Sequence, residues 1–340
     1  MIALVTGAGG FIGGHLVGRL LGEGYSVLAV DRKERARWYQ LHERAANLVL
    51  DLRDEKVSQS AIRGIDEVYH LAADMGGIGF IERNRVSCMR SVLMTLHLLE
   101  SSAVAGVKKF FFSSSACVYP SSLQSTSETI HLAESDVYPA QAERGYGWEK
   151  LYGEMLCEEY AAERGLATFV ARFHNIFGPH GTWRGGREKA PAAIARKVAT
   201  ARVVGLSEID VWGDGRQRRT YTYIADCIEG IRRIVSEESL VATPINLGST
   251  EVLTVDELID AVEAVDADLF GALPSLLRRY DETAPKGVAS RAPDNTLIRE
   301  RLGWEPSTTF RDGMEETYRW IYGEAKRATE ERREFLEDEE

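Results

Sequence analysis

Seven residues, Gly7-Ala8-Gly9-Gly10-Phe11-Ile12-Gly13, constrain this chain more than any other stretch. They follow directly on a strand-like run, Ile2 to Val5, and open a helical pattern from Phe11 to Leu21. Glycine lets backbone approach a pyrophosphate without a Cβ clash, and a helix N-terminus supplies N–H donors and a favourable dipole. Alone, such a run is also a plain turn-and-packing element. Its surroundings narrow the reading. Strand candidates at 26–30, 68–72, 109–113 and 168–173 alternate with helical patterns at 81–102 and 147–162. That alternation predicts an α/β chain: a Rossmann-type, doubly wound parallel sheet with helices on both faces. Asp31 closes the second strand, 18 residues after Gly13. A carboxylate there takes hydrogen bonds from an adenosine ribose and repels a 2′-phosphate, favouring NAD over NADP, although Arg32 and Lys33 beside it pull the other way. Asp51-Leu52 is placed either to flank the adenine or to cap a turn.

Beyond about residue 175 the pattern loosens. Arg184-Gly185-Gly186-Arg187 and Gly213-Asp214-Gly215 are loop signals, with helical stretches near 190–201, 226–236 and 254–266 between and after them. The expected organisation is an NAD-binding domain over 1–175, to which segments near 215–250 return. A smaller α/β C-terminal substrate lobe follows over 176–325, and a charged tail over 326–340 reads as a solvated helix or frayed end. The net charge of −11 makes nucleic acid an unfavourable partner. No apolar run approaches the roughly 20 residues of a membrane helix. The four cysteines, at 88, 117, 157 and 227, are too scattered for a disulfide framework or zinc module. His70, His174 and His180 lack metal-ligand spacing, so no metal is expected. With a strand already at Met1 to Val5, a reduced, cytoplasmic protein without a secretory segment is expected.

A second constellation concerns proton transfer. Tyr146 and Lys150, four apart on a helix, share one face. An ammonium near a phenol lowers its pKa, so the phenolate can accept a proton from a sugar hydroxyl. Such pairs are common on solvated helices; here one follows a nucleotide-binding pattern and Ser113-Ser114-Ser115 at a strand end. A serine hydroxyl can orient the same substrate oxygen, or simply cap a loop.

At these residues the sequence resembles the extended short-chain dehydrogenase/reductase superfamily, in its nucleotide-sugar branch. The carriers are TGAGGFIG at 6–13, HLAA at 70–73, SSSACVYP at 113–120, YGWEK at 146–150 and RFHNIFGP at 172–179. AADMGGIGFIERN at 72–84, ESDVYPA at 134–140, FHNIFGPHGTWRGGREKAPAA at 173–193 and WGDGRQRRTYTYI at 212–224 are similar to the GDP-mannose 3,5-epimerases. The acidic tail has no share in the resemblance.

The resemblance implies an isomerase with tightly bound NAD, acting on GDP-mannose or a related GDP-hexose as a homodimer. Oxidising C4 of the sugar acidifies the C–H bonds at C3 and C5, because each carbanion becomes an enolate. Tyr146 would act as base, with Lys150 and Ser115, and Cys117 with Lys189 as the acid–base pair of the inversions. Gly7, Gly10, Phe11, Ile12, Gly13, Asp31, Asp51, Leu52, Leu71 and Ala73 would contact the cofactor, with Tyr146 and Lys150. Gly76, Ser115, Asn175, Glu188, Lys189, Lys197, Gln217, Arg219 and Arg291 would contact the substrate. Arg184 and Arg187 are further candidates or plain surface charges, Gly76-Gly77 passes close to the sugar or is an ordinary turn, and Trp183 and Trp212 pack the lobe interface. The helices near 81–102 and 147–162 would form the dimer, through apolar positions such as Val92, Leu93, Leu96 and Leu99, which suit a core-facing helix as well. Cys88, Cys157 and Cys227 read as core.

Neighbouring activities fit less well. A GDP-sugar 4,6-dehydratase carries an Asp-Glu pair where this chain has Ala116-Cys117. An epimerase-reductase of the GDP-fucose synthase type pairs its cysteine with histidine where Lys189 stands, and a UDP-sugar 4-epimerase needs no Cys/Lys pair. A catalytically silent NAD-binding protein would not need Tyr146, Lys150, Cys117 and Lys189 together.

Overall fold

The protein is described from a computed structural model covering residues 1–126, 128–285 and 287–337, with side chains as far as 331. Strands β1 (Ile2–Thr6), β2 (Ser26–Asp31), β3 (Ala46–Val49), β4 (Glu67–His70) and β5 (Lys109–Ser115) alternate with α1 (Phe11–Gly22), α2 (Glu55–Ala61), α3 (Ile78–Arg83), α4 (Arg85–Met89) and α5 (Val92–Ala105). Then come β6 (His131–Leu132), α6 (Tyr146–Arg164), β7 (Thr168–Phe173), β8 (Ile176–Phe177), α7 (Ala190–Val204), β9 (Glu208–Trp212), β10 (Arg218–Thr220), β11 (Thr222–Tyr223) and α8 (Ile224–Ser236). The chain continues through β12 (Pro244–Leu247), β13 (Val252–Thr254), α9 (Val255–Phe270), β14 (Leu277–Asp281), β15 (Ser290–Pro293), α10 (Thr296–Leu302) and α11 (Phe310–Glu337).

Seven strands form one sheet in the order β12-β7-β5-β4-β1-β2-β3, every neighbouring pair parallel. This is the doubly wound order, with its switch between β1 and β4. Burial on both faces explains the unbroken apolar strands. On β5, Phe110 and Phe112 enter the core shared with Leu98, Leu99 and Cys157, while Phe111 faces the opposite core with Ala3 and Val5. Glycines at 106, 165, 205 and 303 end α5, α6, α7 and α10 in the left-handed conformation.

The stretch expected as one helix over 81–102 is three, α3, α4 and α5, interrupted at Asn84 (φ −124°) and around Ser91. Apart from the seven-stranded sheet, the chain forms a four-stranded sheet, β13-β10-β15-β6, and the two-stranded pairs β14-β9 and β11-β8. Helices α7, α9 and α11 pack on one another. Of the charged tail, residues 326–337 continue α11, and 338–340 lie outside the described residues.

A buried polar network ties α6 to β5, β7 and β12. Glu154 on α6 accepts from Ser114 Oγ at the end of β5 and from Arg172 Nε and Nη2 on β7 at 3.0 and 2.8 Å. Arg172 Nη1 also donates to the Glu134 carbonyl at 2.8 Å and to Tyr119 Oη at 3.2 Å, and Tyr119 Oη donates to Asn246 Oδ1 at 2.7 Å. Arg172 and Glu154 are 3% and 4% exposed, so neither charge tolerates losing the other. Arg172→Met, which leaves the Glu154 carboxylate uncompensated, is expected to cost about 3–5 kcal/mol of unfolding free energy in a denaturant titration; a loss under about 1 kcal/mol would contradict the network's role.

Candidate active site

The strand ends at the switch point are held by one hydroxyl. Thr6 Oγ1 accepts the Leu71 and Ala72 N–H groups at 3.2 and 3.1 Å and bonds His70 Nδ1 at 2.8 Å. The loops then approach so closely that a Cβ on Gly7 (φ +70°) would lie 2.9 Å from Ala72 N. A Cβ on Gly13 would lie 2.3 Å from the Gly7 carbonyl oxygen. No side chain caps the N-terminus of α1 at Gly10. Its first N–H groups therefore remain donors for a pyrophosphate, with Phe11 and Ile12 in the first turn. Phe11 packs across to the 178–181 loop. Asp31 stands at the end of β2, held by the Lys33 N–H at 2.9 Å. The two cations that could welcome a 2′-phosphate are engaged elsewhere: Lys33 Nζ donates to the Gly9 carbonyl at 2.6 Å, and Arg32 pairs with Asp74 at 3.2 Å. These residues fit NAD. Asp51 is turned toward Arg53, whose guanidinium holds its carboxyl down to about 2, and the Leu52 side chain lies in the core. Leu71 and Ala73 line the loop after β4, both partly exposed.

Across the switch point, α6 begins at Tyr146, which follows Gly145 (φ +86°) and is buried. Lys150, one turn on, is 1% exposed; its Nζ lies 5.6 Å from the Tyr146 ring centroid, 4.8 Å from that of Phe112 and 3.7 Å from Glu149 Oε2. The expectation that the ammonium lowers the phenol is corrected here. Burial dominates and pushes Tyr146 well above the ordinary tyrosine value, Cys117 and Glu149 add to the rise, and a hydrogen bond with Ser115 opposes it. The three serines separate by role. Ser113 donates to the His70 carbonyl and Ser114 to Glu154, whereas Ser115 meets Tyr146 and accepts the Cys117 N–H at 3.2 Å.

Cys117 sits in the short helical turn after β5, 8% exposed. Burial raises its thiol above the ordinary value, and Glu143 adds to the rise; Arg291, donating from Nη1 to the sulfur at 3.5 Å, works against it. Lys189 occupies the N-cap of α7, just before Pro191. Burial lowers its ammonium below the usual lysine value, with Cys117 opposing. The two groups thus share one electrostatic neighbourhood although 72 residues separate them in sequence.

The remaining candidates divide. Arg219 and Arg291 are register partners on the parallel strands β10 and β15. Burial, with Arg291 alongside, brings Arg219 down to about 10. Gln217 is buried with its Oε1 unpartnered. Asn175 adopts φ +44°, tolerable for asparagine, and its Nδ2 donates to the Thr220 carbonyl at 3.0 Å. Glu188 accepts from Gly186 N at 2.7 Å and Arg196 at 3.2 Å, and Lys197 Nζ donates to the Asp210 carbonyl. Gly77 admits other backbone rather than only a ligand: its N–H donates to the Arg187 carbonyl at 3.0 Å, and a Cβ there would lie 2.6 Å from the Glu188 carbonyl oxygen. A Cβ on Gly76 would meet Phe80 at 2.9 Å. Arg187 stacks 3.8 Å over Phe80 and pairs with Asp74 at 2.9 Å, Arg184 lies over Trp183, Trp183 is core, and Trp212 is 48% exposed. Among the described residues no cluster of three or more His, Cys, Asp or Glu is placed to hold a metal. Sequence reasoning passed over Asp74, which joins Arg32 to Arg187, and Glu143 and Gln124, which hold Arg291. Asp74 stood inside the quoted DMGG motif; nothing along the sequence marked the other two.

A nucleotide cradle at the switch point that shares its edge with a Tyr-Lys-Ser constellation defines an NAD-dependent enzyme of the short-chain dehydrogenase/reductase type. The chain belongs to the NAD dependent epimerase/dehydratase family, whose pattern matches residues 3–248. It is 40% identical over 324 residues to GDP-mannose 3,5-epimerase 1 of Oryza sativa subsp. japonica, spanning 93% of this chain and 80% of that one. It is 38% identical over 318 residues to the GDP-mannose 3,5-epimerase of Arabidopsis thaliana, spanning 93% and 81%. Among solved structures it resembles the UDP-glucose 4-epimerase of Thermotoga maritima with UDP-glucose (TM-score 0.80, 25% identity, 95% and 99% covered). The Thermus thermophilus UDP-glucose 4-epimerase complex with NAD is similar to the same degree (TM-score 0.79, 25% identity, 95% and 99%). The cofactor is NAD.

Because the Gly13 Cβ would fall 2.3 Å from backbone, Gly13→Ala is expected to purify with less than about a tenth of the parental NAD, read by absorbance after acid release. Parental NAD content in that variant would contradict the cradle.

Proposed function

We propose that this enzyme inverts C5 and C3 of GDP-mannose, or of a closely related GDP-hexose, through transient oxidation at C4. The observation that carries this reading is the placement of Cys117 and Lys189 in one electrostatic neighbourhood beside Tyr146 and Ser115. Bound NAD supplies reversible hydride acceptance at C4. Tyr146, hydrogen-bonded to Ser115, takes the C4 hydroxyl proton and later returns it, with Lys150 one turn on along the same helix. Cys117 and Lys189 serve the C–H bonds next to the ketone: one side chain removes the proton, and the other delivers one to the opposite face of the enolate. A raised thiol and a lowered ammonium draw closer in proton affinity, which suits the passing of a proton between them.

Arg219 and Arg291, side by side on adjacent strands, supply the local cations that a diphosphate needs within an acidic chain. Gln217, with its unpartnered buried oxygen, is a polar contact for the same ligand, alongside Asn175, Glu188, Lys197 and Gly76.

Turnover of GDP-mannose in deuterated solvent tests the reading: deuterium is expected at C5 and C3 of recovered GDP-hexose, and unlabelled carbons would refute it. Cys117→Ser is expected to lose at least a hundredfold in C5 exchange while keeping its NAD.

The working unit is a homodimer in the cytoplasm. Four free cysteines agree with a reducing compartment, and among the described residues no helix is long and apolar enough to cross a membrane. Val86, Met89, Leu93 and Leu96, with Trp148, Tyr152 and Met155 on α6, are exposed apolar side chains on neighbouring helices, whereas Leu99 is core. Leu93→Asp/Leu96→Asp is expected to halve the mass seen by light scattering, from twice the 37.8 kDa chain mass to that mass; a monomeric parent would contradict the dimer.

A further inference from the structure

Three contacts close a ring around Cys117. The Glu143 N–H donates to the Cys117 carbonyl at 2.9 Å. The Glu143 carboxylate accepts from Arg291 Nη2. Arg291 Nη1 donates to the Cys117 sulfur at 3.5 Å. Gln124 Oε1 accepts from Arg291 Nε, so the guanidinium is held on a third side, and Gln124 is itself fixed by the Tyr119 and Pro120 carbonyls at 3.2 and 3.1 Å. The Glu143 and Arg291 side chains are 17% and 7% exposed. A buried pair of this kind is screened weakly by solvent, so its charges act on a neighbour nearly undiluted.

The backbone adds rigidity. A Cβ on Gly147 would lie 2.2 Å from the Cys117 carbonyl oxygen and 3.0 Å from Glu143 Cβ. Only a glycine at that point in α6 lets the segment carrying Glu143 close on the turn carrying Cys117. Arg291 comes from β15 of the four-stranded sheet, so the ring links that sheet to the turn after β5.

We propose that Glu143 is a positioning residue for Cys117: by pairing with Arg291 it seats the guanidinium against the sulfur and offsets its charge, and so sets how readily the thiol gives up its proton. The inference rests on the reading of Cys117 as an acid–base group but concerns its electrostatic setting alone. An unopposed guanidinium beside the sulfur would favour the thiolate. The carboxylate cancels that bias and keeps Cys117 able to donate as well as accept. The other charged and titratable groups facing Cys117 are Lys189 from the N-cap of α7, Tyr146 from α6 and Arg219 from β10. Substitution at position 143 removes none of these groups, although the Glu143 charge also reaches Lys189 and Arg219 and holds both up.

The test is the pH midpoint of iodoacetamide alkylation at Cys117, mapped by peptide mass spectrometry on the NAD-loaded protein. Glu143→Gln keeps an oxygen to accept from Arg291 and removes only the charge. Its midpoint is expected to fall by about one pH unit. Glu143→Asp retains the charge and is expected to stay near the parental midpoint. Glu143→Gln/Arg291→Gln removes both charges and is expected to bring the midpoint back up from that of Glu143→Gln. An unmoved or raised midpoint in Glu143→Gln overturns the proposal, as does a double variant that stays low. Parental NAD content and thermal midpoint separate these outcomes from misfolding. The pH profile of deuterium exchange is expected to shift with the thiol. A shifted thiol with an unshifted exchange profile would remove Cys117 from the reaction while leaving Glu143's hold on it intact.

Discussion

The reactive groups depend on one buried ion pair. Glu154 and Arg172 bind α6 to the ends of β5 and β7, and through Tyr119, Asn246 and the Glu134 carbonyl they reach the segments that follow. Helix α6 begins with Tyr146 and carries Lys150; β5 ends with Ser115 and leads into Cys117. Without a fixed angle between that helix and that strand, the phenol and the serine hydroxyl could not share a substrate oxygen. The pair is costly to bury, so its value lies in geometry more than in net stability.

A chain of net charge −11 must gather cations locally to hold a diphosphate. In the proposed function Arg219 and Arg291, in register on parallel strands, are the cations placed for it. Burial lowers Arg219 most and the neighbouring Arg291 adds to it, and an anion between the two guanidiniums would offset both. Asp74 gathers Arg32 and Arg187, whereas Glu143 pairs with Arg291 itself. Burial pushes Asp74 upward, but Ser87 and Arg187 outweigh it and keep the carboxyl below its usual value.

The glycine run, Asp31 and the alternation of strands and helices were legible because each is a local pattern with a local physical cause. The Tyr146–Lys150 pair was legible as spacing, but its electrostatics were not. Helical periodicity says nothing of how deeply a phenol is buried, and burial governs Tyr146. Asp51 read equally as an adenine contact or a turn cap, and its carboxylate accepts from the Arg53 N–H and guanidinium two residues on. Gly77 read as either a close approach to ligand or an ordinary turn, and its Cβ position is taken up by the Glu188 carbonyl. The single helix expected over 81–102 is broken at Asn84 and Ser91, which apolar periodicity passes over. Glu143 and Gln124 were invisible because their partner, Arg291, lies 148 and 167 residues away. Only the fold brings β15 beside the turn after β5.

In the proposed reaction one site oxidises C4 and inverts its two neighbours. Proton NMR of the GDP-hexoses formed from GDP-mannose measures this directly. Sugars inverted at C5, alone or together with C3, with C4 unchanged, are expected. A product inverted at C4, or a 4-keto-6-deoxy sugar, would contradict it.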